Sequence, residues 1–345
     1  MRVSVLSLCF VLIAIGCGGT TAGSGGSGGG SGGAGGGSGG AGGGSGGAGG
    51  GSGGTGGSGG SYMLAGTVSI GPITLQAGQE TTVCITKRLG NANALDITKM
   101  HTTLAPGSHH MIFYRSNDTT ESPNPTSCQP FQGIIQGTVP LFIAESPDSV
   151  LNFPQGVAYS LPANTMYRLE AHYINTTQQV LQGMGTVELY TNTNPATITD
   201  HANLTFMGNA QISIPAGRTC ELPCGGTPTP TFHALSAGTK VFGVTTHEHH
   251  LGIDAWVELT TGANVSGTML VDNPDWNNPL LKLFDPPLEI QAGQGLRFNC
   301  KYQNDTNATV SFGESATEEM CFIWAYYYPD AGFQLCANGI PGLGC

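Results

Sequence analysis

The sequence predicts an all-β protein, two β-sandwich domains in tandem, and three observations predict it. Short stretches rich in β-branched and aromatic residues recur from Tyr62 onward, among them Thr67–Ile73, Met166–Ile174, Lys240–Gly252, Gly295–Tyr302 and Cys321–Tyr328. Clusters of Gly, Pro, Asn and Asp separate them, and helical periodicity is hard to find. One turn phrase also recurs, as Leu75-Gln-Ala-Gly78, Leu161-Pro-Ala-Asn164, Ile214-Pro-Ala-Gly217 and Ile290-Gln-Ala-Gly293. Its last residue, Gly or Asn, suits a position of positive φ. Two copies precede residue 195 and two follow it, so the halves are expected to be built alike, with a boundary near Thr191-Asn-Thr-Asn-Pro195.

The N-terminal segment is not part of that fold. Met1-Arg2 and the apolar run Val3 to Ile15 read as a secretory signal, too short to cross a bilayer as a helix. It ends in Ala14-Ile-Gly-Cys17, which is similar to a bacterial lipobox. Residues 1–17 are therefore expected to be a lipoprotein-type signal peptide, with acylated Cys17 as the only membrane contact. Residues 18–61 repeat Gly, Ser, Ala and Thr, cannot bury apolar surface, and are expected to form a flexible, disordered tether with a reach of roughly 35–40 Å. This reading places the protein at the outer membrane or cell surface of a bacterium. The remaining chain divides into residues 62–195 and 196–345. Six Asn-x-Ser/Thr triplets, Asn117 and Asn175 among them, would invite glycosylation in a eukaryote, and the bacterial reading of the N-terminus sets them aside.

A net charge of −11 and the absence of any basic stripe exclude nucleic acid as a partner. Apart from Cys9 and Cys17, eight cysteines remain, an even number that suggests disulfides in an exported chain. None has the paired C-x-x-C spacing of a structural zinc module, and spacing alone does not choose among the pairings.

Six of the nine histidines fall into three phrases with chemical potential. In Thr246-His247-Glu-His249-His250-Leu-Gly252, an extended strand would point His247 and His249 to one side and Glu248 to the other. Two neutral imidazoles one repeat apart begin a metal site. In Gly107-Ser-His109-His110-Met111, neighbours on a regular strand face opposite ways, so the pair can share a metal only at a bulge or a strand start. In Arg168-Leu-Glu-Ala-His172, one histidine sits on one strand face. His101, His201 and His233 lie outside the phrases, and His250, though inside one, lacks a comparable context; all four default to non-ligand roles. Met320, in Glu318-Glu319-Met320-Cys321 ahead of an aromatic strand, offers a thioether, a soft donor that suits Cu(I) rather than zinc.

Taken in order, a His-His-Met, a His-Tyr on a strand, a His-x-His-His-Leu-Gly and a Glu-Met-Cys, these phrases resemble the copper type II, ascorbate-dependent monooxygenases, the family of peptidylglycine α-hydroxylating monooxygenase and dopamine β-monooxygenase. The resemblance runs over roughly residues 65 to 345. It implies two copper ions per chain, with ascorbate or another one-electron reductant as co-substrate. His109, His110 and His172 would hold an electron-relaying copper, while His247, His249 and Met320 would hold the copper at which dioxygen and a small organic substrate react. It implies two jelly-roll-like sandwiches flanking a solvent-filled cleft, disulfides Cys84–Cys128 and Cys300–Cys321, and a bond from Cys220 or Cys224 to the C-terminal cysteines. One departure bears on substrate. Thr245, Phe322 and Trp324 stand where the peptidylglycine enzymes use an arginine, an asparagine and a tyrosine, so no carboxylate clamp is expected and the two aromatics suggest an apolar or aromatic substrate. The implied activity is C–H hydroxylation; a non-catalytic copper-sequestering surface lipoprotein is the alternative.

Overall fold

Strand Met166–Ile174 shows how the first half is built. Its odd-numbered positions, Leu169, Ala171 and Tyr173, are the apolar set a sheet turns toward a core, and all three are buried. The opposite face carries Arg168, Glu170 and His172, and these are buried too. Polar side chains enclosed in this way mean that a second layer covers the sheet's other face.

The computed structural model describes residues 62–345 apart from 136 and 137, and the described residues fall in a single compact unit. The signal peptide, Cys17 and the Gly/Ser tether lie outside the described residues. All-β character holds: apart from the four-residue helix Gln132–Ile135 and a 3-10 turn at Pro195–Thr197, every described element is a strand.

Met166–Ile174 is the centre of a five-stranded sheet ordered Ser122–Ser127, Glu80–Arg88, Met166–Ile174, Ser108–Arg115, Val139–Ala144. The other sheet of this half runs Tyr62–Leu75, Leu181–Asn192, Leu95–Leu104, Val157–Leu161, Asp200–His201. In the second half, one sheet is ordered Lys282–Glu289, Lys240–His247, Phe322–Tyr328, Asn203–Asn209, Gln334–Asn338. Its companion runs Thr219–Glu221, Gly295–Gln303, Gly252–Thr260, Thr268–Asn273.

The larger apolar core does not stop at the middle of the chain. It joins Phe113, Phe142 and Phe153 of the first half to Phe206, Phe242, Trp324 and Tyr326 of the second. Phe153 meets Phe242 at 5.4 Å and Phe142 meets Tyr326 at 6.3 Å between ring centroids. Each such ring contributes about 2–3 kcal/mol by leaving water. The halves are therefore held by the same kind of packing that holds each sheet.

The four copies of the turn phrase behave as expected: Gly78, Asn164, Gly217 and Gly293 have φ of 71°, 52°, 67° and 82°. The likeness of the halves extends to a pair of asparagines. Asn175 follows strand Met166–Ile174 and donates from Nδ2 to the carbonyls of Leu75, Gln76 and Gln179. Asn304 follows strand Gly295–Gln303 and donates to the carbonyls of Ile214 and Ala308. Each asparagine Oδ1 accepts from the backbone and the hydroxyl of the Thr two residues on. Leu75 and Ile214 open two copies of the turn phrase, so each asparagine ties a strand end to the same kind of turn.

Two sequence expectations need correcting. The disulfides Cys84–Cys128 and Cys300–Cys321 are present, but neither Cys220 nor Cys224 reaches the C-terminus. Cys220 pairs with Cys224 across a tight turn, Cα atoms 5.3 Å apart, and Cys336 pairs with Cys345 at 4.8 Å. Both separations lie within the normal disulfide range, so these local partners need no long-range approach. The strand expected over Lys240–Gly252 ends at His247; residues 248–251 form a turn closed by the Gly252 N–H donating to the His249 carbonyl, 2.9 Å.

Candidate metal centre

His172 and His110 are directly opposed across neighbouring antiparallel strands. The ladder is regular from His110 to Arg115 and shifts register between Ser108 and His110, so His109 is a bulge residue. That irregularity lets two sequential histidines face one site. His247 closes its strand opposite Phe322, and the turn after it, not strand alternation, brings His249 back beside it.

All five rings meet. Seven pairs among His109, His110, His172, His247 and His249 have centroids between 5.1 and 5.6 Å apart. His109, His110 and His247 offer nitrogens lying within 4.8 Å of one another, so donors of the two halves share one cluster. The solvent-filled cleft expected between the halves does not separate them: His110, His172, His247 and His249 are 1–2% exposed.

Burial fixes their charge. Two imidazolium ions about 5 Å apart repel by about 3 kcal/mol even at an effective dielectric constant near 20, and an enclosed ring also loses its hydration. Desolvation accordingly holds His109, His110 and His247 well below the ordinary histidine range, with neighbouring rings adding to the effect, and holds His249 at about 4. Neutral rings keep a lone pair for a metal.

Second partners decide which nitrogen carries that lone pair. His247 Nδ1 bonds Glu145, and His249 Nδ1 donates to the Glu318 carbonyl at 2.9 Å, so both turn Nε2 inward. His172 does the reverse, with Nε2 bonded to Glu80 at 2.9 Å and Nδ1 left open. Across the five rings, His109 Nε2, both His110 nitrogens, His172 Nδ1, His247 Nε2 and His249 Nε2 are buried without a hydrogen-bond partner. An unpaired buried polar atom costs about 1–3 kcal/mol, and since an unprotonated ring carries one lone pair, the five rings can turn up to five of these six atoms to a group that accepts lone pairs. Neutral imidazoles suit copper, and the residues present fit it.

Met320 is 3% exposed and lies in the apolar core with Phe206, Phe322 and Trp324. The two residues before it hold the His249 turn: Glu318 through its carbonyl, and Glu319 through bonds from the His249 and Leu251 N–H groups at 2.9 and 2.7 Å. Glu319 is wholly buried, which raises its carboxyl to about 7 against the pull of those backbone bonds. Glu248 is not an exposed residue on the far strand face. It is 2% exposed, and burial, with Glu319 and Asp254 nearby, pushes its carboxyl well above the usual range.

Phe322 and Trp324 are buried in the core. Trp324 stacks on Phe206 at 5.8 Å with rings 4° from parallel, and Phe322 lies 5.1 Å from Phe206. A cavity of about 570 Å³ opens beside His172, and its walls include Glu80, Glu314, Glu318 and Phe312. Among the described residues, no lysine or arginine lines it.

Sequence reasoning missed Glu80, Glu145, Phe131 and Trp276. Phe131, with φ of 53°, packs 5.1 Å from the His110 ring, and its N–H donates to the buried Glu170. Trp276, in the loop after Thr268–Asn273, lies 6.0 Å from His109. None of the four is marked by the composition around it.

An all-β scaffold that encloses five imidazoles from two halves, three of them braced by hydrogen-bond partners, has the donor set of a buried transition-metal centre. The comparisons show what the chain is similar to. Residues 201–342 match the family model described as copper type II ascorbate-dependent monooxygenase, C-terminal domain. The chain is 25% identical over 253 residues, 68% of its length, to a human DBH-like monooxygenase, protein 2. It is 27% identical over 107 residues, 30% of its length, to tyramine beta-hydroxylase of Caenorhabditis briggsae. These matches support the copper type II, ascorbate-dependent monooxygenase family, through the C-terminal domain at residues 201–342. The chain spans about half of the human relative, 49%, and 18% of the nematode one. A protein of an archaeal virus turret with a triple jelly roll fold overlaps 78% of the chain and 60% of its own length, at a TM-score of 0.18 and 8% identity. The reading of the chain as a bacterial outer-membrane or cell-surface lipoprotein is overturned, since these monooxygenase relatives come from animals.

Proposed function

We propose that the chain is a copper monooxygenase that uses dioxygen and a one-electron reductant such as ascorbate to hydroxylate a C–H bond of a small organic substrate. In this reading His109, His110 and His172 hold one copper, and His247, His249 and Met320 hold a second. The observation that carries it is the set of six buried, unpartnered ring nitrogens on five clustered histidines. Copper bound there would supply one-electron chemistry for activating dioxygen.

The residues themselves do the rest. Glu80, Glu145 and the Glu318 carbonyl fix ring orientation, and Phe131 and Trp324 keep water from the cluster. The cavity beside His172 narrows the substrate class. Three carboxylates and no cationic side chain in its lining disfavour an anion, in accord with Thr245 standing where a carboxylate clamp would need arginine. A neutral or positively charged substrate fits, and the amine in the nematode relative's name is of that kind.

Copper titration followed by oxygen uptake with ascorbate tests this reading. Purified protein should bind close to two coppers, and amines should support ascorbate-dependent oxygen consumption while their carboxylate analogues do not. Met320→Ile should abolish turnover and leave copper at the three first-half histidines. Unchanged turnover would remove Met320 from the mechanism, and failure to bind stoichiometric copper would end the proposal.

A further inference from the structure

Where the first half meets the second, the segment Ile143 to Ser146 makes a run of polar contacts. The Ile143 N–H donates to the Tyr326 hydroxyl at 3.3 Å. Ser146 donates to the side-chain oxygen of Asn278 at 2.7 Å. Between them Glu145, 8% exposed, bonds His247 Nδ1. Only this middle contact reaches a ring of the histidine cluster. Its strand, Val139–Ala144, pairs with the strand of His110, Met111 opposite Ala144, so Glu145 leaves the sheet beside the first-half donors.

We propose that Glu145 is a positioning residue: a carboxylate of the first half that orients His247 of the second, so that Nε2 of His247 faces the cluster only while the halves are docked. The inference rests on the metal reading above. A histidine bonded through one nitrogen has a fixed tautomer and a fixed ring plane, and the opposite nitrogen becomes the donor. His249 takes its equivalent bond from Glu318 of its own half, and His172 from Glu80 of its own half. His247 alone among these three depends on the other half. Copper affinity at the second-half donors is thereby tied to closure, with no group of the first half needing to bind the same ion.

The test compares copper(II) binding and its electron paramagnetic resonance spectrum in the full chain and in Glu145→Gln and Glu145→Leu, with thermal melts of the metal-free proteins. Glutamine keeps an oxygen that can accept from Nδ1–H; leucine does not. Loss of such a bond to a metal-binding histidine typically weakens affinity by about 10–100-fold. The expected result is that Glu145→Leu weakens one of two copper populations at least about tenfold and alters its nitrogen hyperfine pattern, while Glu145→Gln stays within about threefold. The other population should not change, and Glu80→Gln should affect that one instead. A Glu145→Leu protein with wild-type affinity and spectrum overturns the proposal. So does a Glu145→Gln protein that loses both populations in step with a fall in metal-free melting temperature, because that marks a structural role only. Wild-type protein that binds no copper would refute the metal reading itself, a separate outcome.

Discussion

Replacing Glu319 by alanine removes the clamp on the turn that returns His249 to the cluster. The carboxylate is wholly buried and accepts from two backbone N–H groups, those of His249 at 2.9 Å and Leu251 at 2.7 Å. Alanine leaves both donors buried without acceptors, and each such loss costs about 1–3 kcal/mol. The expected destabilisation of metal-free protein is therefore about 2–6 kcal/mol, offset in part if water enters the vacated space. Urea denaturation at pH 8, above the pKa of about 7 that burial gives Glu319, reads this as a lower midpoint with an unchanged slope. Copper affinity should fall as well, since the His249 ring would then be held only by its bond to Glu318. Glu319→Gln is the sharper variant: its amide oxygen can serve one N–H, but its NH2 must then meet the other donor. An unfolding free energy within about 0.5 kcal/mol of wild type for the alanine variant would refute the claim that this residue holds the turn.

Two further outcomes follow from burial and close packing. His249 titrates at 6.5 unfolded and about 4 folded, so the unfolded chain takes up a proton that the folded state refuses. Its contribution to metal-free stability is intact above pH 6.5 and lost as pH falls to about 4, a change of about 3 kcal/mol. The stability difference between wild type and His249→Phe should shrink by that amount over this window, and a constant difference would show that burial does not depress the ring. At Gly208, an added Cβ would lie 2.0 Å from the Phe322 ring, itself fixed against Phe206. Gly208→Ala should cost about 1–3 kcal/mol and lower the melting temperature, and an unchanged melt would mean that Phe322 is free to move.

The histidines that the fold brings together were readable in the sequence because their signals are local. A His-His pair after Pro106-Gly107 announces an irregular strand, and the register shift at His109 is that irregularity. The recurring turn phrase announces positive φ at Gly78, Asn164, Gly217 and Gly293. The residues that orient the donors were not readable, because their partners are distant in the chain. Glu145 meets His247 across 102 positions and Glu80 meets His172 across 92. Neither separation leaves a mark on local composition. The end of the Lys240–His247 strand was hidden for a related reason: Glu248 looks like an outward polar residue in alternation and is instead enclosed. The cysteine pairs divide the same way, since the two long-range disulfides came with the family resemblance and the two short ones did not.

The matched asparagines have a bearing on how the chain can be decorated. Asn175, Asn203 and Asn304 each head an Asn-x-Thr triplet and are 1–4% exposed, and in Asn175 and Asn304 the amide nitrogen is already committed to two or three carbonyls. A sugar attached to that nitrogen would have to break the tie between strand end and turn in either half. Of the six triplets, only those at Asn117, Asn264 and Asn307 lie at the surface, so peptide mapping of folded protein from a eukaryotic host should find any carbohydrate confined to them.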